Sequence, residues 1–117
     1  MAIVAYTVTL VGGHVAYVAA WASMANGDSG GPLEFTSYAD RSFQVTGTFG
    51  SGGTVRLEGS NDGTNWAVLH DPQGDVLSIT TAGIETVLDI CRFVRPRVTA
   101  GDGTTALTVS LLVQKYP

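Results

Sequence analysis

Apolar side chains in this chain recur at every second position, in short runs separated by glycine-rich breaks. Leu107, Val109, Leu111 and Val113 share one face of the segment 104–114. Phe43, Val45 and Phe49 do the same in 41–49, with Ser42, Gln44, Thr46 and Thr48 opposite. Val55 and Leu57 point inward in 54–59, and Val94, Pro96 and Val98 oppose Arg95 and Arg97 in 92–99. A period of two is the mark of a strand with one buried face, because successive side chains point to opposite sides of a sheet. The breaks are "GSGG" at 50–53, "SNDGTNW" at 60–66, "DPQGD" at 71–75 and "AGDGTT" at 100–105. An Asp-Gly pair between two strand-like runs favours a tight hairpin, since both positions tolerate positive φ.

The same alternation predicts a strand over Val4, Tyr6, Val8 and Leu10, a turn at Gly12-Gly13, and a second strand over Val15, Tyr17, Ala19 and Trp21. The alanines there also permit a short helix, but the alternation favours strand. Residues 33–39 read as a short strand or irregular edge, and Val76–Thr80 and Ile84–Ile90 as two short strands. Pro96 cannot donate a ladder hydrogen bond, which places its strand at an edge or at a bulge. About eight to ten short strands without a long helix predict an all-β, single-domain antiparallel sandwich or barrel-like fold. The domain spans 1–117, since a chain of 117 residues is one domain's worth and no linker or repeat divides it.

Charge and cysteine content narrow the function. A net charge of −4 argues against nucleic acid as a partner, which would require an excess of phosphate-neutralising side chains. Cys91 stands alone, so no internal disulfide forms, which fits a reducing cytoplasm. Residues 1–27 carry no Lys, Arg, Asp or Glu. A signal peptide would need a basic start, and Thr7, Thr9, Gly12, Gly13 and His14 interrupt a membrane span. Two buried strands are the better reading, with no membrane partner.

"GDSGGP" at 27–32 spells the nucleophile loop of trypsin-like proteases. A working Ser29 needs a histidine base and an acid to orient it. In that family both precede the serine, yet only His14 does so here and no acid precedes Asp28. His70, downstream, would need an unrelated fold to reinvent the triad. The loop composition favours turns in any case, so no catalytic residue is assigned and no enzyme is expected. Asn61, Asp62 and Asn65 lack the alternating acids of a calcium loop, and the histidines lack metal-ligand spacing. No metal or cofactor is expected. Arg92, Arg95 and Arg97 hold half of the six basic residues. They read as a solvated face or as partners for carboxylates of another protein, which the planar guanidinium grips with two hydrogen bonds. Asp40-Arg41 reads as a local pair or part of a subunit contact.

Three phrases in order carry a resemblance: "ANGDSGGPLEFTSYADRSFQVTGTFGSGGTVRLEGSNDGTNWAVL", "DPQGDVLSITTAGIE" and "RFVRPRVTAGDGTTALTVSLL". Together they resemble small virion proteins of tailed bacteriophages, the capsid decoration (cement or head accessory) proteins, from about Trp21 to Val113. The resemblance implies a β-rich homo-oligomer, commonly a trimer, made in the host cytoplasm. It would bind the major capsid protein on the capsid exterior and stabilise the shell. Residues 1–20 match least and would serve as an N-terminal docking strand or arm. The contact residues expected on this reading are Tyr6, Val8, Arg92, Arg95 and Arg97. "GSNDGTNW" also resembles the Ser-x-Asp-Gly-x-x-Trp hairpin of discoidin-like sandwiches, so a carbohydrate-binding module is the alternative, and a tail or neck structural protein a third. Trp66, on an alternating strand, reads as core.

Overall fold

The computed structural model describes residues 2–11 and 15–115. The Gly12-Gly13 turn and His14 lie outside the described residues. Among the described residues twelve strands form: β1 (Ile3–Val4), β2 (Tyr6–Val11), β3 (Ala16–Met24), β4 (Ser29–Gly30), β5 (Leu33–Glu34), β6 (Asp40–Thr48), β7 (Thr54–Ser60), β8 (Ala67–Val68), β9 (Ser78–Ile79), β10 (Gly83–Val87), β11 (Phe93–Ala100) and β12 (Ala106–Gln114). Among the described residues there is no helix. The all-β expectation holds, and the strand number exceeds it because five of the strands span only two residues.

The strands make two sheets. One runs β10-β6-β12-β3-β2, all antiparallel. The other runs β1-β4-β11-β7-β8, with β5 also on β11 and β9 also on β7. Their inner faces supply the core: Trp21, Met24, Phe43, Val45, Leu107, Val109 and Leu111 from the first, Val55, Leu57, Val94 and Val98 from the second. Burying one such side chain contributes roughly 1.5–3 kcal/mol, so this alternation is the main source of stability.

Four expectations need correction in whole or in part. The N-terminal run is not one strand with a buried face. It breaks at Ala5, so that β1 pairs in parallel with β4 in one sheet while β2 joins β3 in the other. Every residue of β2 is exposed, because it lies at the sheet edge. The 84–90 run ends as a strand at Val87, leaving Leu88 and Ile90 exposed, and the 76–80 run shrinks to Ser78–Ile79.

Of the two readings of Pro96, the edge fails, since β11 lies between β4/β5 and β7, and the bulge holds, since the β11–β7 register shifts between Val98 and Ala100. Pro96 faces Leu57, whose N–H donates to Leu77 O (3.0 Å) and whose C=O accepts from Leu69 N (2.9 Å), both away from β11. Pro96 and Leu57 are therefore a non-hydrogen-bonded pair. The proline nitrogen points to the other side, between the residues that pair with β5 (Phe93, Val94) and the one that pairs with β4 (Arg97).

The fourth correction concerns "SNDGTNW". β7 and β8 do form a hairpin, but Gly59 pairs with Ala67, so residues 60–66 make a wide loop. Of Asp62 and Gly63, only Gly63 has positive φ (77°). Asp62 acts through its carboxylate, whose Oδ1 accepts from the Thr64 and Asn65 amides at 2.8 Å each. These bonds, with that from the Asn65 amide foremost, hold its carboxyl well below the usual carboxylate range.

Candidate functional site

Strand parity fixes the outer face of the second sheet. Val55 and Leu57 point inward, so Arg56 and Glu58 point out. Val94, Pro96 and Val98 point inward, so Arg95 and Arg97 point out. Pairing of β7 with β11 places Arg95 opposite Glu58 and Arg97 opposite Arg56. The result is one carboxylate among three guanidinium groups. Glu58 Oε2 accepts from Arg56 Nε at 2.6 Å, with Arg56 Nη2 also 2.6 Å away, and Oε1 accepts from Arg95 Nε at 3.0 Å. Arg97 Nη1 stands 3.9 Å from Oε2, close enough for charge attraction without a hydrogen bond. Glu58 is 1% exposed, whereas the three arginine side chains remain 22–41% exposed.

That arrangement has a chemical consequence. One buried carboxylate stands among three cations and neutralises one of them, which leaves a surplus of two positive charges on a protein of net charge −4. Arg95 is held from its other side by the Trp66 ring, 4.0 Å from its centroid. Such a cation–π contact with Arg rigidifies the guanidinium plane. Beside it lies a cleft of about 460 Å³ lined by Ala2, Ile3, Ser29, Arg95 and Arg97. Guanidinium donors left free in fixed positions suit planar acceptors, carboxylates above all.

The structure divides the expected contact residues. Arg95 and Arg97 belong to this cluster. Arg92 does not: it pairs with Glu34 at 2.6 Å and covers the Phe93 ring at 4.7 Å, at the exposed start of β11. Tyr6 and Val8 lie on β2, in the other sheet. Arg56 and Glu58 went unassigned in the sequence, and Trp66 was read as core. Parity shows that Arg56 and Glu58 face outward, but only the β7–β11 pairing brings them to Arg95. Trp66 is half-buried beneath Arg95 rather than in the core.

"GDSGGP" carries β4 and connects β3 to β5. Asp28 Oδ1 accepts from Ala2 N (3.0 Å) and Oδ2 from Ala25 N (2.9 Å), so the acid ties down the chain start and its own turn. Trp21 Nε1 donates to Gly31 O at 3.0 Å. A Cβ on Gly30 would stand 2.6 Å from Pro96 Cδ and 2.7 Å from Trp21 Cδ1, so only glycine fits. Ser29 and the strand leading to His70 lie three strand spacings apart, roughly 14 Å. His70 instead meets Asp89, Nδ1 to Oδ2 2.9 Å. Asp40 and Arg41 form no pair. Arg41 is buried and donates to Tyr38 O and Phe35 O, both 3.0 Å, and burial lowers its pKa from the usual value.

The fold has solved counterparts. A prophage-derived protein, YomS of SPBc2, superposes with a TM-score of 0.65 at 11% identity, over 91% of this chain and all of that one. Protein NMB1881 from Neisseria meningitidis (13% identity, 93% of this chain and 84% of that one) reaches 0.43. Peruvianin-I, a cysteine peptidase from Thevetia peruviana latex (15%, 88% and 53%), also reaches 0.43. Those two similarities are too low to carry an argument. No family model and no curated protein matches the chain. The described residues therefore share their fold with a prophage-derived protein.

Proposed function

We propose that this chain is a non-enzymatic structural protein of a tailed-phage virion that binds the outside of the capsid and stabilises it. The observation that carries the reading is the arginine cluster. Arg56 and Arg95 are held by a buried Glu58, Arg97 stands 3.9 Å from it, and all three guanidinium groups reach an open sheet face. A decoration protein grips a finished shell without chemistry, and such a face meets acidic side chains of the major capsid protein in register. The fold shared with a prophage-derived protein supports a phage origin, as do the three phrases that resemble head accessory proteins. The carbohydrate-binding alternative draws less support, because one face of Trp66 is occupied by Arg95 and closed to sugar stacking.

The test is electron microscopy of capsids lacking the protein, before and after its addition. Density at regular lattice points on the shell is expected, together with raised resistance of the particle to heat. With Arg97→Ala, which breaks no hydrogen bond to Glu58, the density should fade at physiological salt while the free protein stays folded. Density confined to the tail or portal vertex overturns the reading.

A further inference from the structure

Strand β2 pairs with β3 on one side, and among the described residues nothing pairs with its other side. A free strand edge is a template for another chain, and soluble proteins blunt such edges with charge, proline or a bulge. β2 has none of these: its sequence is Tyr-Thr-Val-Thr-Leu-Val, and its pairing to β3 is regular. The opposite edge of the same sheet, β10, carries Glu85. Tyr6, Val8 and Leu10 lie opposite Trp21, Ala19 and Tyr17 and so face the core side of the sheet. They are nonetheless 38%, 41% and 46% exposed, so this edge of the sheet lacks a cover.

The identity of the missing cover is written in the strand. Tyr6-Thr7-Val8-Thr9-Leu10 reads the same from either end by side-chain class: large apolar, Thr, Val, Thr, large apolar. An antiparallel copy centred on Val8 puts Val8 opposite Val8, Thr7 opposite Thr9 and Tyr6 opposite Leu10. All three apolar residues of each copy then share one face, and the threonines share the other. A slip of one residue would place the apolar row of one copy beside threonines, which side-chain parity opposes. Thr–Thr and aromatic–aliphatic cross-strand pairs each stabilise a ladder. Both partners are uncharged, so self-pairing meets no electrostatic penalty, and a two-fold axis makes the patch its own complement. We propose that β2 is an isologous interface. Two copies of this chain pair β2 to β2 about a two-fold axis through Val8 and join their five-stranded sheets into one continuous sheet. The proposal is independent of capsid binding, and it gives a dimer where the family resemblance implies a trimer.

Sedimentation equilibrium of the full chain tests it. The wild type should reach twice the monomer mass of 12.2 kDa. Val8→Lys should weaken the dimer about tenfold or more, since two like charges would stand directly opposite each other. Ile84→Lys, on β10, should leave it unchanged. A second readout survives any folding defect of the lysine variant. Antiparallel partners lie about 4.5–5.5 Å apart at Cα, within disulfide range, so Val8→Cys should cross-link to its own copy under mild oxidation beyond the wild-type level. A monomeric wild type, a trimer, an assembly insensitive to Val8→Lys, or a dimer that fails to cross-link through residue 8 would each overturn the proposal.

Discussion

Gly30 sits where β4 crosses the Pro96 ring and the Trp21 indole, and a methyl group there would overlap both. Neither neighbour is a flexible tip, so backbone must move to admit it. Gly30→Ala should destabilise the protein by about 1–3 kcal/mol, the usual cost of overpacking a close contact, read as a lowered midpoint in urea unfolding. The adjacent Ser29→Ala removes no described hydrogen bond and should stay within about 0.5 kcal/mol of wild type. A nucleophile loop would invert that order, with the serine sensitive in activity and the glycine a bystander. The glycine in "GDSGGP" is legible as a turn former, but its packing partners are 9 and 66 positions away in the chain. No local pattern announces them.

At the scale of the strand, Pro96 and Leu57 show how hydrogen-bond phase decides what a position tolerates. Leu57 spends its N–H on Leu77 O and its C=O on Leu69 N, while Pro96 has no ladder bond to lose on that side. Leu57→Pro should strand the buried Leu77 carbonyl and cost at least about 1–3 kcal/mol. Pro96→Ala should cost less, since it deletes ring packing and breaks no hydrogen bond. Paired thermal-unfolding curves for the two variants check this, and a larger loss for Pro96→Ala would refute the assigned phase. Alternation alone correctly placed Val94, Pro96 and Val98 inward and Arg95 and Arg97 outward. Whether the strand was central or at an edge depended on partners that arrive from residues 29–34 and 54–60.

Taken whole, the molecule is closed at one end by two glycine-rich loops that a single acid joins. Asp102 Oδ1 accepts from the Thr104 hydroxyl (2.6 Å) and amide (2.8 Å), and its Oδ2 accepts from Ser51 N (2.8 Å), 51 residues away. The Thr104 hydroxyl bond foremost, then the Ser51 amide, lowers the Asp102 pKa from 3.8 to about 2. A carboxyl depressed in the folded state stabilises fully above its unfolded pKa and loses that contribution as pH falls through the folded value. The loss therefore falls between about pH 4 and pH 2. Stability against urea should drop across that window in the wild type and less steeply in Asp102→Asn, and an NMR titration should place the carboxyl near the bottom of it. Equal slopes for the two proteins would remove Asp102 from the account.

By itself the sequence determined that the fold is all-β and which residues of β6, β7, β11 and β12 face the core. These follow from local rules, side-chain parity and turn chemistry. Tertiary structure alone decided that Arg56 and Glu58 join Arg95 and Arg97, that Arg92 stands apart, and that the apolar β2 is exposed. Parity assigns a residue to a face of its own strand. Which strands are neighbours, and which of them lies at the edge, is settled by long-range pairing that no period in the chain encodes.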